Sequence, residues 1–192
     1  MRRLRFIILH KAGGSMDTKQ LNHELEVENY TLPLKPFHRE AMLDLVLAWG
    51  SLDGILGMLL AKFLNLPLHE AADEIGKQNG SAKLAEVIKI ISKVEAGKNV
   101  AKLLRKHKKT YEKYSKSRNK IAHGHCAGYL LCDENYVVFA IFERVAGSEN
   151  LAVDAVPVEE MERATKWGGK FAAWIMNLLS GLETRSNKPP TA

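Results

Sequence analysis

The sequence predicts a mainly α fold: an antiparallel helical bundle with a small antiparallel β-hairpin or three-stranded meander inserted before the last helix. Most of the chain places apolar residues at steps of three and four, which is the period of an amphipathic helix. Between about 127 and 156 the period changes to two, which is the period of strands. With 192 residues, 46% of them hydrophobic and 26% charged, we expect one domain over residues 31–184.

Residues 1–30 are predicted to form a flexible leader. Basic residues precede the apolar run Phe6–Leu9, but that run is shorter than the roughly 7 to 15 residues of a secretory core. Met16 follows a Gly-Gly-Ser stretch. Translation from Met16, with the preceding residues an upstream extension or a cloning remnant, is therefore an open alternative.

A long apolar helix is predicted from Pro36, a residue placed to open it, to Phe63. Its residues are apolar on nearly every face, which predicts a central, buried helix. A membrane span is the competing interpretation, but Asp44 and Asp53 would each cost roughly 2.5 to 3.5 kcal/mol near a bilayer centre. We therefore expect no membrane partner. Small residues leave a ridge that a helix of this chain or of a second subunit can approach closely, namely Gly50, Gly54, Gly57 and Ala61.

Capping residues, turn residues and apolar periodicity predict the remaining helices. They are a short helix from Pro67 to Asn79, a helix from Ala82 to Ala96 capped by Ser81, a long helix from Val100, capped by Asn99, to Gly124, and a final helix after Pro157. We expect residues 185–192 to form a frayed tail.

The inserted sheet is predicted from two strands of alternating character, Tyr129 to Cys132 and Tyr136 to Phe142. The turn residues Asp133 to Asn135 lie between them, which indicates a hairpin. Leu151 to Val156 is a candidate third strand. The predicted β insertion therefore covers about residues 127–156.

Positive charge is concentrated on the long helix before Gly124. The formal net charge of the chain is +6, yet residues 98–120 contain ten Lys or Arg and the single acid Glu112. The rest of the chain is therefore mildly acidic. A local positive field favours polyanions such as nucleic acid or an anionic membrane surface, and a merely solvated helix face is the alternative.

Arg118 is unexpected on this helix because it lies on the same apolar track as Leu104 and Tyr111. A guanidinium on a packing face needs an acceptor, so an internal salt bridge to Asp44 or Asp53 is one interpretation. The other uses the neighbouring residues. Asn119 and His123 are four apart on one edge of the helix, and together with the long Arg118 side chain they can converge on one small anion. A helix C-terminus also favours a protonated imidazole.

The spacing Arg118-Asn119-x-x-x-His123 resembles the signature of HEPN-domain proteins, which are helical bundles carrying an arginine, a polar residue and, four residues later, a histidine at a late helix end. The apolar helix with Trp49, followed by a basic helix, is similar to them as well. The resemblance covers roughly Phe37 to His125. It implies a homodimer that brings two copies of the motif into one cleft, and in many members this cleft is an endoribonuclease that requires no metal or other cofactor.

For this chain the resemblance implies Arg118, Asn119 and His123 as catalytic residues acting on RNA. The two cysteines, which form no evident disulfide framework, predict a reducing, cytoplasmic setting. His123 would act as general acid or base, Arg118 would neutralise charge on the phosphate, and Asn119 would orient either group. The role it suggests is a toxin or phage-defence effector, with an antitoxin protein as a further partner. Backbone contacts are expected from the lysines of the same helix, Lys102, Lys106, Lys109, Lys113, Lys116 and Lys120.

Other interpretations remain open. HEPN toxins paired with a nucleotidyltransferase often carry a tyrosine two residues after the histidine, whereas this chain has His125 there. A non-catalytic HEPN-like module for RNA binding or dimerisation fits the same residues, as does a structural bundle that binds a protein through the glycine-lined helix. No metal site is expected, because His123, His125 and Cys126 lack an evident fourth ligand. Cys126 and Cys132 are expected to be packing residues in a reducing setting.

Overall fold

The computed structural model describes residues 7–8, 16–145 and 148–186. Within these residues the chain is mainly α-helical with a small β-sheet, which confirms the predicted fold class. The elements in chain order are β1 (Ile7–Ile8), α1 (Thr18–Glu26), β2 (Tyr30–Thr31), α2 (Pro36–Leu64), α3 (Leu68–Ile75), α4 (Gly80–Ile91), a 3-10 turn (Glu95–Gly97), α5 (Lys98–His123), β3 (His125–Leu130), β4 (Tyr136–Val145), β5 (Ser148–Pro157) and α6 (Val158–Ser186).

The chain folds into two compact units, where the sequence predicts one domain over residues 31–184. The first unit, called the sheet unit below, comprises residues 1–46 and 115–165. The second, called the helical unit, comprises residues 47–114 and 166–192. Helices α2, α5 and α6 each contribute residues to both units.

The sheet has the strand order β1-β5-β4-β3-β2. Strands β3, β4 and β5 form the predicted antiparallel meander, and β4 and β5 pair along ten residues each. Two short strands that the sequence analysis does not predict lie at the edges. Strand β1 is parallel to β5, and β2 is antiparallel to β3. Beside β2, Gly128 has φ +140° and faces the Thr31 carbonyl, so only glycine fits this position without strain.

The prediction of a flexible leader over residues 1–30 is wrong for its second half, because helix α1 lies there and packs on the sheet. Leu21 and Leu25 are buried in one cluster with Val138 and Tyr136 of β4. The backbone N–H of Met16 also donates a hydrogen bond to the Tyr136 hydroxyl at 3.1 Å. Residues 1–6 and 9–15 lie outside the described part of the chain, as do residues 187–192 of the predicted frayed tail.

Helix α2 begins at Pro36 as predicted, and its first turn is held to the β3–β4 turn by a buried histidine. His38 Nδ1 accepts a hydrogen bond from the Lys35 N–H at 3.2 Å. Because a carbonyl only accepts, Nε2 donates to the Glu134 carbonyl, at 2.6 Å. Both ring nitrogens are therefore satisfied by one neutral tautomer.

Helix α2 is less buried than the sequence predicts. It is the one described helix that is long and apolar enough to cross a membrane, a property that core helices of soluble proteins share. Only 33% of its most apolar window is buried by the chain. Leu47 is 62% exposed and Met58 is 39% exposed. Gly50 and Gly54 on the same helix are also exposed, and a methyl group added to either would meet nothing within 4 Å. This apolar face has no cover within the described residues.

Helix α4 begins at Gly80, two residues earlier than predicted, because its cap is Asn79 rather than Ser81. The Asn79 side chain accepts a hydrogen bond from the Ala82 N–H at 2.9 Å. Its start is tightly packed: a methyl group on Gly80 would lie 2.1 Å from the Tyr111 hydroxyl. Any larger residue at this position would therefore displace the Tyr111 side chain.

The helical unit has an aromatic core built on α2, α5 and α6. Trp49 packs on Tyr111 with 4.7 Å between ring centroids and on Trp167 with 6.0 Å. His107 stacks on Phe171 at 4.7 Å. Partial burial lowers the pKa of His107, and the nearby Lys106 ammonium lowers it further. The neutral imidazole thus behaves as a fourth aromatic type in this core.

Candidate functional site at the end of helix α5

The last turns of α5 are attached to the sheet unit by two polar contacts. Ser117 is buried and donates a hydrogen bond to Glu160 in the first turn of α6. Lys120 forms an ion pair with Asp154 of β5, whose side chain is fully buried. The other carboxylate oxygen of Asp154 accepts a hydrogen bond from the Ala155 N–H at 2.8 Å. The helix end is therefore tied both to the sheet and to α6.

The predicted buried position of Arg118 is wrong. The buried residue on this turn is Ser117, and Arg118 is half-buried. In the helical unit the buried residues of α5 include Leu104 and Tyr111, but this track does not continue into the last turns, which belong to the sheet unit and contact β5 and α6. Extending one apolar stripe along the whole helix therefore places the arginine incorrectly.

Arg118 and Asn119 form a hydrogen-bonded pair, with the guanidinium Nη1 donating to the Asn119 Oδ1 at 3.1 Å. Asp53, one proposed salt-bridge partner of Arg118, is instead bound by Lys83 at 2.8 Å in the helical unit. Asn119 is exposed, as is His123 one turn later. Among its described contacts, Arg118 has no carboxylate partner. The three residues of the motif therefore remain accessible to an external anion.

The backbone on both sides of His123 is fixed. The N–H of Gly124 donates to the Lys120 carbonyl at 2.7 Å and closes the last turn of the helix. A methyl group on Gly124 would lie 2.5 Å from that carbonyl oxygen, so this close approach requires glycine. The next residue, His125, already pairs with Ala140 in the sheet. His123 thus lies in a short segment between a helix end and a strand.

The lysines of α5 form an exposed face along most of the helix. Five of the six predicted RNA-binding lysines are exposed, namely Lys102, Lys106, Lys109, Lys113 and Lys116. Lys102, Lys109 and Lys116 are spaced by seven residues, and His123 is the next member of that series. Seven residues are nearly two helical turns, so Lys102 and Lys109 in the helical unit differ by only about 20° in direction around the helix, as do Lys116 and His123 in the sheet unit.

Arg118 does not belong to this line. Five residues separate it from His123, which places the two Cα–Cβ directions about 140° apart around the helix. The hydrogen bond to Asn119 turns the Arg118 guanidinium toward the side of the helix that carries His123, because Asn119 lies four residues before His123 on the same edge. Asn119 therefore connects the arginine with the exposed histidine.

Lys120 is the exception among the six predicted RNA-binding lysines. Its ammonium group contacts the buried Asp154 carboxylate, and only 23% of its side chain is exposed. A polyanion would have to compete with a carboxylate that has no access to water. The prediction that Lys120 contacts the RNA backbone conflicts with this placement, and we assign it a structural contact instead.

Sequence reasoning misses Asp154 and Glu160. A signal for Asp154 exists, because it is an acid inside the otherwise apolar run from Leu151 to Val156. A charged residue in a buried strand needs a partner, but its distance from Lys120 along the chain hides the identity of that partner. The sequence indicates Glu160 only as an acid that stabilises the start of α6.

Two other kinds of site, a metal site and a cysteine nucleophile, have no support from the geometry of the described residues. Among the described residues, no group of three or more His, Cys, Asp or Glu side chains is placed to hold a metal ion. Burial raises the pKa values of the Cys126 and Cys132 thiols, which disfavours the reactive thiolate. What the site offers is an exposed imidazole and an amide, with a guanidinium bound to that amide.

Comparison of the chain with protein-family models, with curated proteins and with solved structures found no match in any of the three. The interpretation of the site therefore depends on its residues and their geometry.

Proposed function

We propose that this chain is a HEPN-like, metal-independent endoribonuclease that cleaves RNA through attack of a ribose 2′-hydroxyl on the neighbouring phosphate. The observation that carries the proposal is the exposed His123 next to the Arg118–Asn119 pair, with the exposed Lys116 seven residues earlier on the same helix. The lysines attract the phosphate backbone without reading sequence. The motif supplies one group for proton transfer and one cation for the phosphate.

The reaction consists of one proton removal, one displacement and one proton delivery. The 2′-oxygen loses its proton to a neutral imidazole and bonds to phosphorus, while the bond from phosphorus to the 5′-oxygen breaks. The leaving 5′-oxygen takes up a proton, and the products are a 2′,3′-cyclic phosphate and a 5′-hydroxyl. His123 provides the base or the acid, and the Arg118 guanidinium neutralises charge that develops on the phosphate oxygens.

A homodimer is part of the proposal, because one imidazole cannot hold the incoming proton and deliver the outgoing one in the same step. A second copy would provide the second His123. The apolar face of α2 gives a reason for self-association, since Leu47 and Met58 are exposed there and the glycines between them allow close helix contact. The suggested role as a toxin or phage-defence effector, restrained by an antitoxin protein, is proposed from the family resemblance alone.

The proposal is tested by incubating a structured RNA with the purified chain in excess EDTA. We expect cleavage with cyclic phosphate ends, and His123→Ala should lower the rate by about 10²- to 10⁴-fold. His69→Ala is the matched control, because His69 is an exposed histidine on α3 whose contact is with Glu70. DNA of the same sequence should resist cleavage. Equal cleavage of DNA, or full activity of His123→Ala, would exclude this mechanism.

A non-catalytic RNA-binding module is the second candidate, and the exposed lysine face favours it independently of His123. In this case RNA binds without turnover, and log Kd depends linearly on log salt concentration. Lys116→Ala should reduce the magnitude of that slope by about 0.7 to 0.9, the contribution of one phosphate contact. Binding with no cleavage by the wild-type chain would select this function over the enzyme.

A further inference from the structure

A buried carboxylate lies behind the candidate motif. Asp154 is fully buried on β5 and is bound by Lys120, which directly follows Asn119 and precedes His123 by three residues. An ionised carboxylate without access to water strongly favours a conformation in which a cation remains beside it. Lys120 therefore has little freedom to leave the sheet, and its backbone is held with it.

The sheet gives Asp154 a fixed position of its own. Asp154 pairs in register with Phe139 of β4, and Phe139 pairs with Cys126 of β3. Cys126 is three residues after His123. Cys126, on the strand that follows the motif, and Asp154 are thus aligned across the sheet on either side of Phe139. The strand pairing is made by backbone groups, so we expect a change of the Asp154 side chain to act on the motif through Lys120.

We infer that Asp154 is a positioning residue for the Arg118–Asn119–His123 motif: through its ion pair with Lys120 it fixes the last turn of α5, from which the Asn119 and His123 side chains extend. This inference depends on the proposed function only for its effect on catalysis. The structural part, that the carboxylate holds the turn, can be measured without any substrate.

Two roles for Lys120 predict different kinetic effects. A lysine that bound RNA would affect substrate affinity, and its loss would raise KM and reduce the salt dependence of binding. A lysine that positions the turn would affect kcat, and removal of its partner Asp154 would have the same effect. Misplacement of a catalytic group by about 1 Å can lower the rate about 100-fold.

The test compares Asp154→Asn and Lys120→Met with Lys120→Arg, which retains the positive charge. Asp73→Asn and Lys77→Met are matched controls, since both residues are exposed and belong to the helical unit. The first measurement is amide hydrogen exchange at Gly124, whose N–H closes the last turn on the Lys120 carbonyl. We expect exchange to accelerate about tenfold or more in Asp154→Asn and Lys120→Met, and to recover in Lys120→Arg. The α4 amides should not change.

The second measurement is RNA cleavage by the same variants. Asp154→Asn and Lys120→Met should each lower kcat about 100-fold with KM within about twofold of wild type, and Lys120→Arg should restore most of the rate. Unchanged Gly124 exchange would overturn the inference whatever the activity. Faster exchange with unchanged kcat would also overturn it.

The same experiment separates a failure of the proposed function from a failure of this inference. If the wild-type chain does not cleave RNA but Gly124 exchange responds as expected, the ribonuclease proposal fails and the fixing of the turn by Asp154 stands. If Lys120→Met, which leaves the buried carboxylate without its cation, does not fold, Asp154→Asn still gives the comparison with wild type and Lys120→Arg.

Discussion

Each unit of the chain contains an ion pair between a buried group and a more accessible one, and the two pairs are inverted. In the helical unit Lys83 is buried, with 5% of its side chain exposed, while its partner Asp53 is 37% exposed. In the sheet unit Asp154 is completely buried, while its partner Lys120 is 23% exposed. The same two residue types thus occupy opposite positions relative to solvent.

The difference shows which member of each pair is structurally critical. Removal of the accessible member leaves a charge in a place that water does not reach, whereas removal of the buried member leaves a charge that solvent can stabilise. The accessible residues, Asp53 and Lys120, should therefore be the sensitive positions. If burial alone decided how strongly a substitution destabilises the chain, Lys83 and Asp154 would be the most sensitive positions.

The largest effect is expected for Asp53→Asn, because Lys83 then retains its buried ammonium group without the carboxylate. We expect the free energy of unfolding to fall by about 3 kcal/mol, against less than about 1 kcal/mol for Lys83→Met, which removes the buried charge itself. Urea unfolding followed by tryptophan fluorescence measures this directly, since Trp49, Trp167 and Trp174 all belong to the helical unit.

The matched control for Asp53→Asn is Asp73→Asn, an exposed aspartate of the same unit. It should change the free energy of unfolding by less than about 0.5 kcal/mol. If Lys83→Met were as destabilising as Asp53→Asn, the two charges would contribute through their mutual contact alone, and the comparison between buried and accessible partners would not hold for this unit.

The inverse order is expected in the sheet unit. Lys120→Met withdraws the cation from Asp154 and should lower the free energy of unfolding by about 2 kcal/mol, against about 1 kcal/mol for Asp154→Asn. Because the sheet unit contains no tryptophan, the measurement is hydrogen exchange of β4 and β5 amides under native conditions. A larger effect of Asp154→Asn would show that contacts of Asp154 other than Lys120 dominate.

Elements with strong local signals are predictable from the sequence. Pro36 opens α2 as expected, and the alternating residues of β4 form the centre of the sheet. Helix α1 escapes prediction because it has nine residues and two buried leucines, a pattern too short to separate from a polar leader. Strand β2 has only two residues and exists through its pairing with β3, which no local pattern encodes.

The candidate site is predictable to the extent that it is local. Arg118, Asn119 and His123 come from one short motif on one helix. They remain accessible because Ser117, and not Arg118, is the buried residue of this turn. The ion pair of Lys120 with Asp154, which conflicts with the assignment of Lys120 to RNA, is not predictable because Asp154 is far away in sequence. The buried side of α5 at Ser117 depends in the same way on contacts with β5 and α6, so helical periodicity alone cannot reveal it.

The smallest expected effect is a pH dependence of the stability of the helical unit, caused by His107. Burial and the Lys106 charge lower the pKa of His107 in the folded chain, so the unfolded chain binds the proton more readily. His107 should therefore stabilise the unit fully above the unfolded pKa of about 6.5, and this contribution should fall as the pH decreases toward the folded pKa. Protonation would also place a cation in the stack with Phe171.

This prediction is measured as the change in the urea midpoint of tryptophan fluorescence between pH 7 and pH 5, in wild type and in His107→Phe. The phenylalanine retains a ring against Phe171 but cannot bind a proton, so the variant should lose less stability on acidification than the wild-type chain. His69→Phe, at an exposed position on α3, is the matched control and should retain the wild-type pH response. An equal loss in wild type and His107→Phe would assign the acid sensitivity of the helical unit to another group, and the Asp53–Lys83 pair would be the next position to test.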